Sequence, residues 1–446
     1  MKSSVQSLMV LSRLKWGADT TVIDAISRYA ESVYGKGNGW GTRMRILIHT
    51  DQYFPATKAC AYRYQVFAEE FIKAGHDVTV ICSSSNKKSN SEMPEREERI
   101  IYTSVVQVRK KTVLTRLLNN VSFLVSTIVS AHAAGKVDVV ITSIPTPVAA
   151  FAGWVIAKTK KAKFVLDVRD IWPDVAVEMG MFTSQSIYYK IFRFLTDFVL
   201  KRADLITVVT PGKQKKIEYR IKQKFQKNTN VLYISNGLDE HIFDSPLYPD
   251  VIQKYHLNHE SCVYIGNVGL AQGLEMMLQL ASDVKYSDMQ FLIFGTGAEE
   301  QALKQKAKEQ KIENINFCGP LPHEYVYTVL RCSKLCFIPL KSAKMEDSVP
   351  TKLYEAIGVG CPVLLAASGD ACKILEETGF GRCAEPQNLV ELKHAMDEIL
   401  MNYEDILLRR EASRELMINK YSRQAIARRF EKQLNSYMES KLNVMT

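Results

Sequence analysis

From Met44 onward, short apolar runs rich in β-branched residues alternate with segments whose apolar residues recur every three or four positions. The runs predict strands over 44–50, 78–82, 137–142, 162–168 and 204–209, with a helix over 62–74 that stops at Gly75-His76-Asp77. A second round predicts strands over 261–265, 289–294, 315–318, 335–339 and 362–365, with helices over 274–284 and 299–310. Near-continuous apolar strands imply burial on both faces, as in a parallel sheet. Regular strand–helix alternation implies a doubly wound α/β sheet. The two rounds are separated by a loop-like stretch, 236–250, which opens on the turn pair Asn236-Gly237. The boundary is therefore placed near residue 240. A polar helix over 422–438 closes the pattern.

Composition agrees with two globular domains: 446 residues, 46% hydrophobic and 24% charged. No apolar run reaches the roughly 20 residues that span a bilayer. The nine cysteines are scattered singly, with no disulfide framework or metal-ligand spacing, which points to a reducing compartment. Residues 1–43 lack the layout of a signal peptide and precede a natural first strand, so they read as an extension outside the fold. The net charge of +10 favours an anionic partner.

In doubly wound sheets, ligands bind at the carboxyl ends of the strands. The first such loop, Asp51-Gln52-Tyr53-Phe54-Pro55 and onward to Ala61, has no glycine, which counts against a dinucleotide-binding first domain. Gly295-Thr296-Gly297 lacks the third glycine of that fingerprint. Its small residues serve either close helix–sheet packing or a phosphate at the helix amino end. The strongest local signal is Asp347-Ser348-Val349-Pro350-Thr351-Lys352-Leu353-Tyr354-Glu355. Pro350 suits a helix start, where a missing N–H costs nothing. The exposed first-turn N–H groups and the helix dipole attract an anion, and Lys352 adds a full charge. Glu355, one turn later, suits ribose hydroxyls. The alternative is a surface helix whose Lys and Glu are merely solvated.

With these residues in place the chain resembles family 4 of the retaining glycosyltransferases, which have the GT-B fold. Asp347 and Glu355, eight apart, stand like that family's carboxylate pair. Phe54-Pro55, Gly75-His76, the stretch Asp167-Val168-Arg169-Asp170-Ile171-Trp172-Pro173-Asp174, Asn236-Gly237, Gly266-Asn267-Val268-Gly269, Gly295-Thr296-Gly297 and Pro339-Leu340 follow the family's order. The Arg-Asp-Ile-Trp-Pro stretch is similar to a bacterial subgroup that includes N-acetylfucosaminyl transferases of O-antigen and colanic-acid-type pathways. The resemblance implies that Lys352 contacts a donor diphosphate, Thr351 binds phosphate oxygens, Glu355 holds the ribose, and 317–321 frame the base. Asp347 or Glu346 would face the donor sugar. Gly266, Asn267, Gln272, Gly295, Gly297 and Pro350 would complete the donor site. Asn267 and Gln272 occupy positions where the family commonly has Arg and Lys, so two cations are absent. Arg169 stands where a His is frequent. It cannot act as a base near neutral pH, so beside Asp170 it either binds an anion or forms a structural ion pair with Asp167, Asp170 or Asp174.

Arg109, Lys110, Lys111 and Arg116 lead into a helix with apolar residues Leu114, Leu117, Leu118, Val121, Leu124, Val125 and Ile128 at helical spacing. This stripe either packs on the sheet or lies on an anionic membrane. Lysines 158–163 and the basic run 213–224 add charge to the same domain, and together these groups imply that the basic first domain meets a membrane surface bearing a lipid-diphosphate acceptor.

The expectation is a GT-B enzyme of two facing Rossmann-like domains with a C-terminal crossover helix. Residues 44–240 would bind the acceptor, 241–418 the donor, and 419–446 would form the crossover helix and tail. It would transfer sugar from a nucleotide-diphosphate sugar, a UDP-sugar for preference, to a lipid-linked saccharide with retention. No metal or other cofactor is required, and no nucleic acid is involved. The site of action would be the cytoplasmic face of the plasma membrane. A sugar-nucleotide epimerase of the same fold and an inactive subunit are the competing readings.

Overall fold

The computed structural model describes residues 43–53, 59–84, 96–105, 113–257 and 260–442. Phe54-Pro55, the basic residues 109–111 and the extension 1–42 lie outside the described residues, as do the side chains of 113–118. Met44–Tyr437 form one compact unit that carries both sheets.

The first sheet has seven parallel strands: β1 (Arg45–His49), β2 (Asp77–Ser83), β3 (Arg99–Thr103), β4 (Val139–Ile144), β5 (Lys163–Val168), β6 (Leu205–Val208) and β7 (Asn230–Tyr233). Its order is β3-β2-β1-β4-β5-β6-β7. The second has six: β8 (Ser261–Ile265), β9 (Gln290–Phe294), β10 (Ile315–Gly319), β11 (Leu335–Pro339), β12 (Val363–Ala366) and β13 (Gly381–Ala384), in the order β10-β9-β8-β11-β12-β13. Both have the doubly wound order. The switch points fall between β1 and β4 and between β8 and β11. Central strands β4, β11 and β12 are buried at every position, because helices cover both faces. Each sheet has its own apolar core.

Three strands have no counterpart in the sequence pattern: β3, β7 and β13. Each is the outermost strand at one side of its sheet. An outer strand has fewer neighbours to cover it, so its residues need not be apolar; β3 and β7 begin exposed and are only partly buried along much of their length. The helix predicted over 274–284 is shorter, Glu275–Ala281, and a 3-10 turn, Val284–Tyr286, follows it because Asp283 caps a new start by accepting from Lys285 N. The cysteine reading also needs correction: Cys372 and Cys383 form a disulfide, with Cα atoms 5.8 Å apart. One lies on the helix Asp370–Thr378 and the other on β13, and the fold brings together two residues that are 11 apart in sequence.

The helix Val113–Ser130 does not carry one buried stripe. Phe123 and Thr127 are buried, whereas Val121, Val125 and Val129 are 47%, 54% and 64% exposed. Its apolar residues wrap more than one face, so packing hides only part of them.

The chain ends by crossing back over the first domain. Leu238 pairs with Tyr421 and Arg423 through its backbone, and a Cβ at Gly237 would overlap the Tyr421 carbonyl. Glycine is needed there for close approach. The helix Arg423–Leu442 then sets Phe430 against Phe67 and Phe71, and Tyr437 donates to Asp204 O at 2.9 Å.

Candidate active site

The loops leaving β8 and β11 meet the helix Thr351–Gly358 at the switch point of the second sheet. Pro350 caps that helix in extended backbone, with φ −63° and ψ 134°. Leu353, Tyr354, Ala356 and Ile357 are buried on its packed side. Thr351, Lys352 and Glu355 are only partly buried. Leu353 N already donates to Pro350 O at 3.0 Å, which leaves the N–H groups of Thr351 and Lys352 without a helical acceptor.

The Lys352 ammonium lies 4.0 Å over the Tyr264 ring and against the Cα of Gly266, where a Cβ would come within 3.0 Å of it. No carboxylate lies within ion-pair distance of it among the described residues. Burial pushes its pKa down to about 8, with Glu355 opposing. Burial also raises the Glu355 carboxyl, against the pull of Arg423 and Lys352. A cation held this way gains most from a bound anion. Tyr264 fixes the adjoining loop by donating to Asn267 O at 2.6 Å.

Binding should restore the charge that burial disfavours, so the bound-state pKa of Lys352 lies above 8. Nucleoside-diphosphate affinity is then expected to be level below pH 8 and to fall as pH rises through it. Calorimetric titration on either side of pH 8 checks this. The Lys352→Arg variant, which does not titrate in that range, should lose the dependence.

Gly295 and Gly297 sit close against the backbone of the neighbouring loop. Gly266 N donates to Phe294 O at 2.9 Å, Val268 N to Thr296 O at 2.9 Å and Glu299 N to Val268 O at 3.1 Å. A Cβ on Gly295 would overlap the Gly266 carbonyl, and one on Gly297 would overlap the Val268 carbonyl. Gly295 also has φ +135°, outside ordinary side-chain territory. Gly295→Ala should therefore cost about 1–3 kcal/mol, read as a lowered denaturation midpoint. The side chains of Asn267 and Gln272 lie over Gly269.

Asp347 is placed at the first domain, beside the amino end of the helix Pro211–Phe225. Its carbonyl accepts from Thr210 Oγ1 at 2.9 Å and from Lys213 Nζ at 2.5 Å. Its carboxylate lies 3.6 Å from Lys213 and 3.0 Å from Lys216. Gly212 N donates to Asp370 at 2.6 Å, and there is no room for a Cβ on Gly212. Glu346 is exposed and 3.4 Å from Lys216. The structure thus brings Asp347 and Glu346 to a lysine pair from the facing domain.

Arg169 directly follows β5 and donates through Nε to Ser143 Oγ at 2.9 Å. The ion pairs weighed for it from sequence do not form among the described residues. Asp167 is taken by Arg63 and Asp174 by Arg193, while Asp170 is partly buried beside it.

Sequence reasoning missed Lys213, Lys216, Asp370 and Glu178. The first two were read as part of the membrane-facing basic charge. Thr210-Pro211 after β6 is a cap-and-proline helix start that would have placed them at a strand's carboxyl end. Glu178 lines two cavities at the cleft. One, of about 420 Å³, also has Arg193, Lys216, Tyr219 and Asp347 in its wall. The other, of about 440 Å³, has Leu270, Lys341, Met345 and Gln387. Partial burial and the Asp347 charge raise the Glu178 carboxyl. Among the described residues no group of three or more His, Cys, Asp or Glu side chains is gathered to hold a metal ion.

Residues 253–435 match the glycosyl transferases group 1 family, and residues 60–237 match a glycosyl transferase 4-like domain. WbjE of Pseudomonas aeruginosa, assigned as a glycosyltransferase, is 27% identical over 242 residues, which is 53% of this chain and 60% of that protein. WcaI of Escherichia coli K12, assigned to glycosyl transfer in colanic acid biosynthesis, is 23% identical over 385 residues, 80% of this chain and 92% of that one. HepE of Anabaena, solved in complex with UDP-glucose, superposes with a TM-score of 0.66 at 14% identity, covering 88% of this chain and 100% of that chain.

Proposed function

This chain is a group 1 glycosyltransferase of GT-B fold, and on that premise we propose that it transfers a sugar from a nucleotide-diphosphate donor to a lipid-linked saccharide during surface polysaccharide synthesis. The observation that carries the donor half is Lys352: a desolvated ammonium with no carboxylate at ion-pair distance among the described residues, at a helix amino end on the switch point of the second sheet. Thr351 and the first-turn N–H groups bind phosphate oxygens, and Glu355 takes the ribose hydroxyls. A UDP-sugar is the preferred donor, in keeping with the UDP-glucose complex of HepE. The assigned role of WcaI in colanic acid biosynthesis supports the surface-polysaccharide part of the reading, and the lipid-linked acceptor follows from the family resemblance.

In this reading residues 44–240 present the acceptor, 241–418 hold the donor, and the last helix ties the two together. The bond from the anomeric carbon to the β-phosphate oxygen breaks, the acceptor oxygen takes its place on the same face, and the acceptor proton leaves with the diphosphate. Lys352 and the helix end stabilise the departing charge as preorganised electrostatics. Asp347, set by Lys213 and Lys216, and Glu346 border the transferred sugar. Arg169 and Asp170 border the acceptor. The enzyme works at the inner face of the plasma membrane without an obligatory metal.

A nucleotide panel tests the donor claim. Uridine diphosphate or a UDP-sugar at 100 times its dissociation constant should add about 2.7 kcal/mol of stability. Silence from every uridine, guanosine and thymidine diphosphate compound would overturn it.

A further inference from the structure

The helix Arg423–Leu442 opens beside the loop 236–239 and the donor helix Thr351–Gly358. Ser422 Oγ caps it by accepting from Ala425 N at 3.1 Å, and Arg423 N donates to Leu238 O at 2.8 Å. Arg423 is thus its first residue, where a cation opposes the helix dipole. A side chain that breaks a local rule of this kind has its compensation elsewhere. The Arg423 side chain is 11% exposed. Its guanidinium lies over the Tyr62 ring of the first domain, 5.6 Å from the ring centre. Asp239 is 3.9 Å away, but that carboxylate already accepts from His241 N at 3.1 Å to start a 3-10 turn. Among the described residues the guanidinium donates no hydrogen bond. Structural pairing therefore uses little of its charge.

The charge faces the donor helix. Arg423 and Thr351 wall one enclosed cavity of about 10 Å³, near the size of a single water. Thr351 and Glu355 are four residues apart on the helix Thr351–Gly358, so they share a face. Glu355 forms no ion pair among the described residues. Burial pushes its carboxyl up; Arg423 pulls it down more than Lys352 does, and Asp239 adds to the upward push. The Tyr327 hydroxyl and the Cys336 thiol also face Glu355, and burial raises both so that they stay neutral. His323, stacked on Tyr62 with ring centres 6.0 Å apart, is held neutral by burial and by Arg423. Arg423 is thus the strongest cation acting on Glu355, and it comes from neither the donor helix nor its sheet.

We propose that Arg423 is the positioning residue of the ribose site: reaching from the start of the crossover helix, its guanidinium holds the Glu355 carboxylate for the two ribose hydroxyls of the donor nucleotide. A carboxylate accepts from both hydroxyls only while it is ionised, and in a desolvated place a nearby guanidinium, which never titrates in this range, secures that state. The crossover helix then has a task at the donor besides packing on the first domain, and the close approach of Gly237 and Leu238 to Tyr421 and Arg423 sets where that guanidinium stands. The inference rests on the reading above that Glu355 takes the ribose.

The test titrates the full chain calorimetrically with uridine diphosphate and with 2′,3′-dideoxyuridine diphosphate, which lacks both hydroxyls. Arg423→Met keeps an apolar stem against Tyr62 and removes the charge. It should weaken uridine diphosphate by roughly tenfold and leave the dideoxy compound, whose binding also reports an intact fold, unchanged. Arg423→Gln should repeat that pattern, and Arg423→Lys, which keeps the charge, should recover most of the affinity. In Arg423→Met the affinity for uridine diphosphate should also fall as pH is lowered from about 8 to about 6, because Glu355 takes up a proton, whereas the wild type stays level. On a Glu355→Gln background Arg423→Met should have no further effect. An equal loss of both compounds in the folded Arg423 variants, or an undiminished loss on the Glu355→Gln background, would overturn this inference and leave the donor reading standing. Equal affinity of the wild type for the two compounds would take Glu355 off the ribose and this inference with it. A wild type that binds neither compound would sink the uridine-donor reading as well.

Discussion

Replacing Lys352 by alanine is expected to lower kcat/KM by roughly two to three orders of magnitude, about 3–4 kcal/mol of transition-state stabilisation. The size follows from what the site lacks. Asn267 and Gln272 are neutral, so the second domain offers the departing diphosphate few other full charges near Gly266. The ammonium is also held where water screens it poorly, between Tyr264 and Gly266. Stability should move the other way from activity, or not at all. Burial lowers the Lys352 pKa, so carrying the charge opposes folding, and alanine removes that penalty while leaving a small void. Steady-state release of nucleoside diphosphate, with a thermal midpoint measured alongside, separates the two effects. Unchanged turnover removes Lys352 from the mechanism.

Arg63→Met is expected to cost about 3–5 kcal/mol of stability. Arg63 and Asp167 pair at 3.1 Å, with side chains 5% and 1% exposed. Tyr64 and Thr207 donate to the same carboxylate at 2.8 and 2.7 Å, and Arg63 also donates to the carbonyls of Ile234 and Ser235. Burial works to raise the Asp167 pKa, but Arg63 and the hydroxyls outweigh it and hold the carboxyl below its usual value. That depression contributes stability above the unfolded carboxylate pKa, and the contribution is lost as pH falls through the folded value. Without Arg63 burial takes over and the pKa rises above its unfolded value. The deficit of the variant should thus be greatest near neutral pH and shrink toward acid. Urea unfolding at neutral and mildly acid pH reads this directly. Because Arg63 also holds the loop before Asn236-Gly237, which borders Thr351, donor affinity should fall as well.

The central strands were legible because a strand covered on both faces has to be apolar throughout; β8 and β11 were predicted to the residue. Three of the four outer strands, β3, β7 and β13, were not, since fewer neighbours demand a pattern of them, while the fourth, β10, was. Pro350–Glu355 was legible because helix starts and anion sites use few residue types at fixed spacing. The packing role of Gly295 and Gly297 was one of two readings, and the Gly266 and Val268 carbonyls that crowd them cannot be located from a three-residue pattern. The partners of Asp347 were illegible for a simpler reason. Lys213 and Lys216 lie more than a hundred residues away in sequence, and a basic run reads the same whether it faces solvent or a facing domain. The Cys372–Cys383 pair was likewise set by the fold, which lays the helix Asp370–Thr378 against β13.

The central claim is that a nucleoside diphosphate sits at the amino end of the helix Thr351–Gly358. Hydrogen–deuterium exchange with and without uridine diphosphate tests it most directly. Slowed exchange is predicted in the loop 266–273 and the first turn at Thr351–Leu353, and it should be absent in Lys352→Ala at the same ligand concentration. Protection confined to the first domain, or equal protection in Lys352→Ala, would contradict the claim.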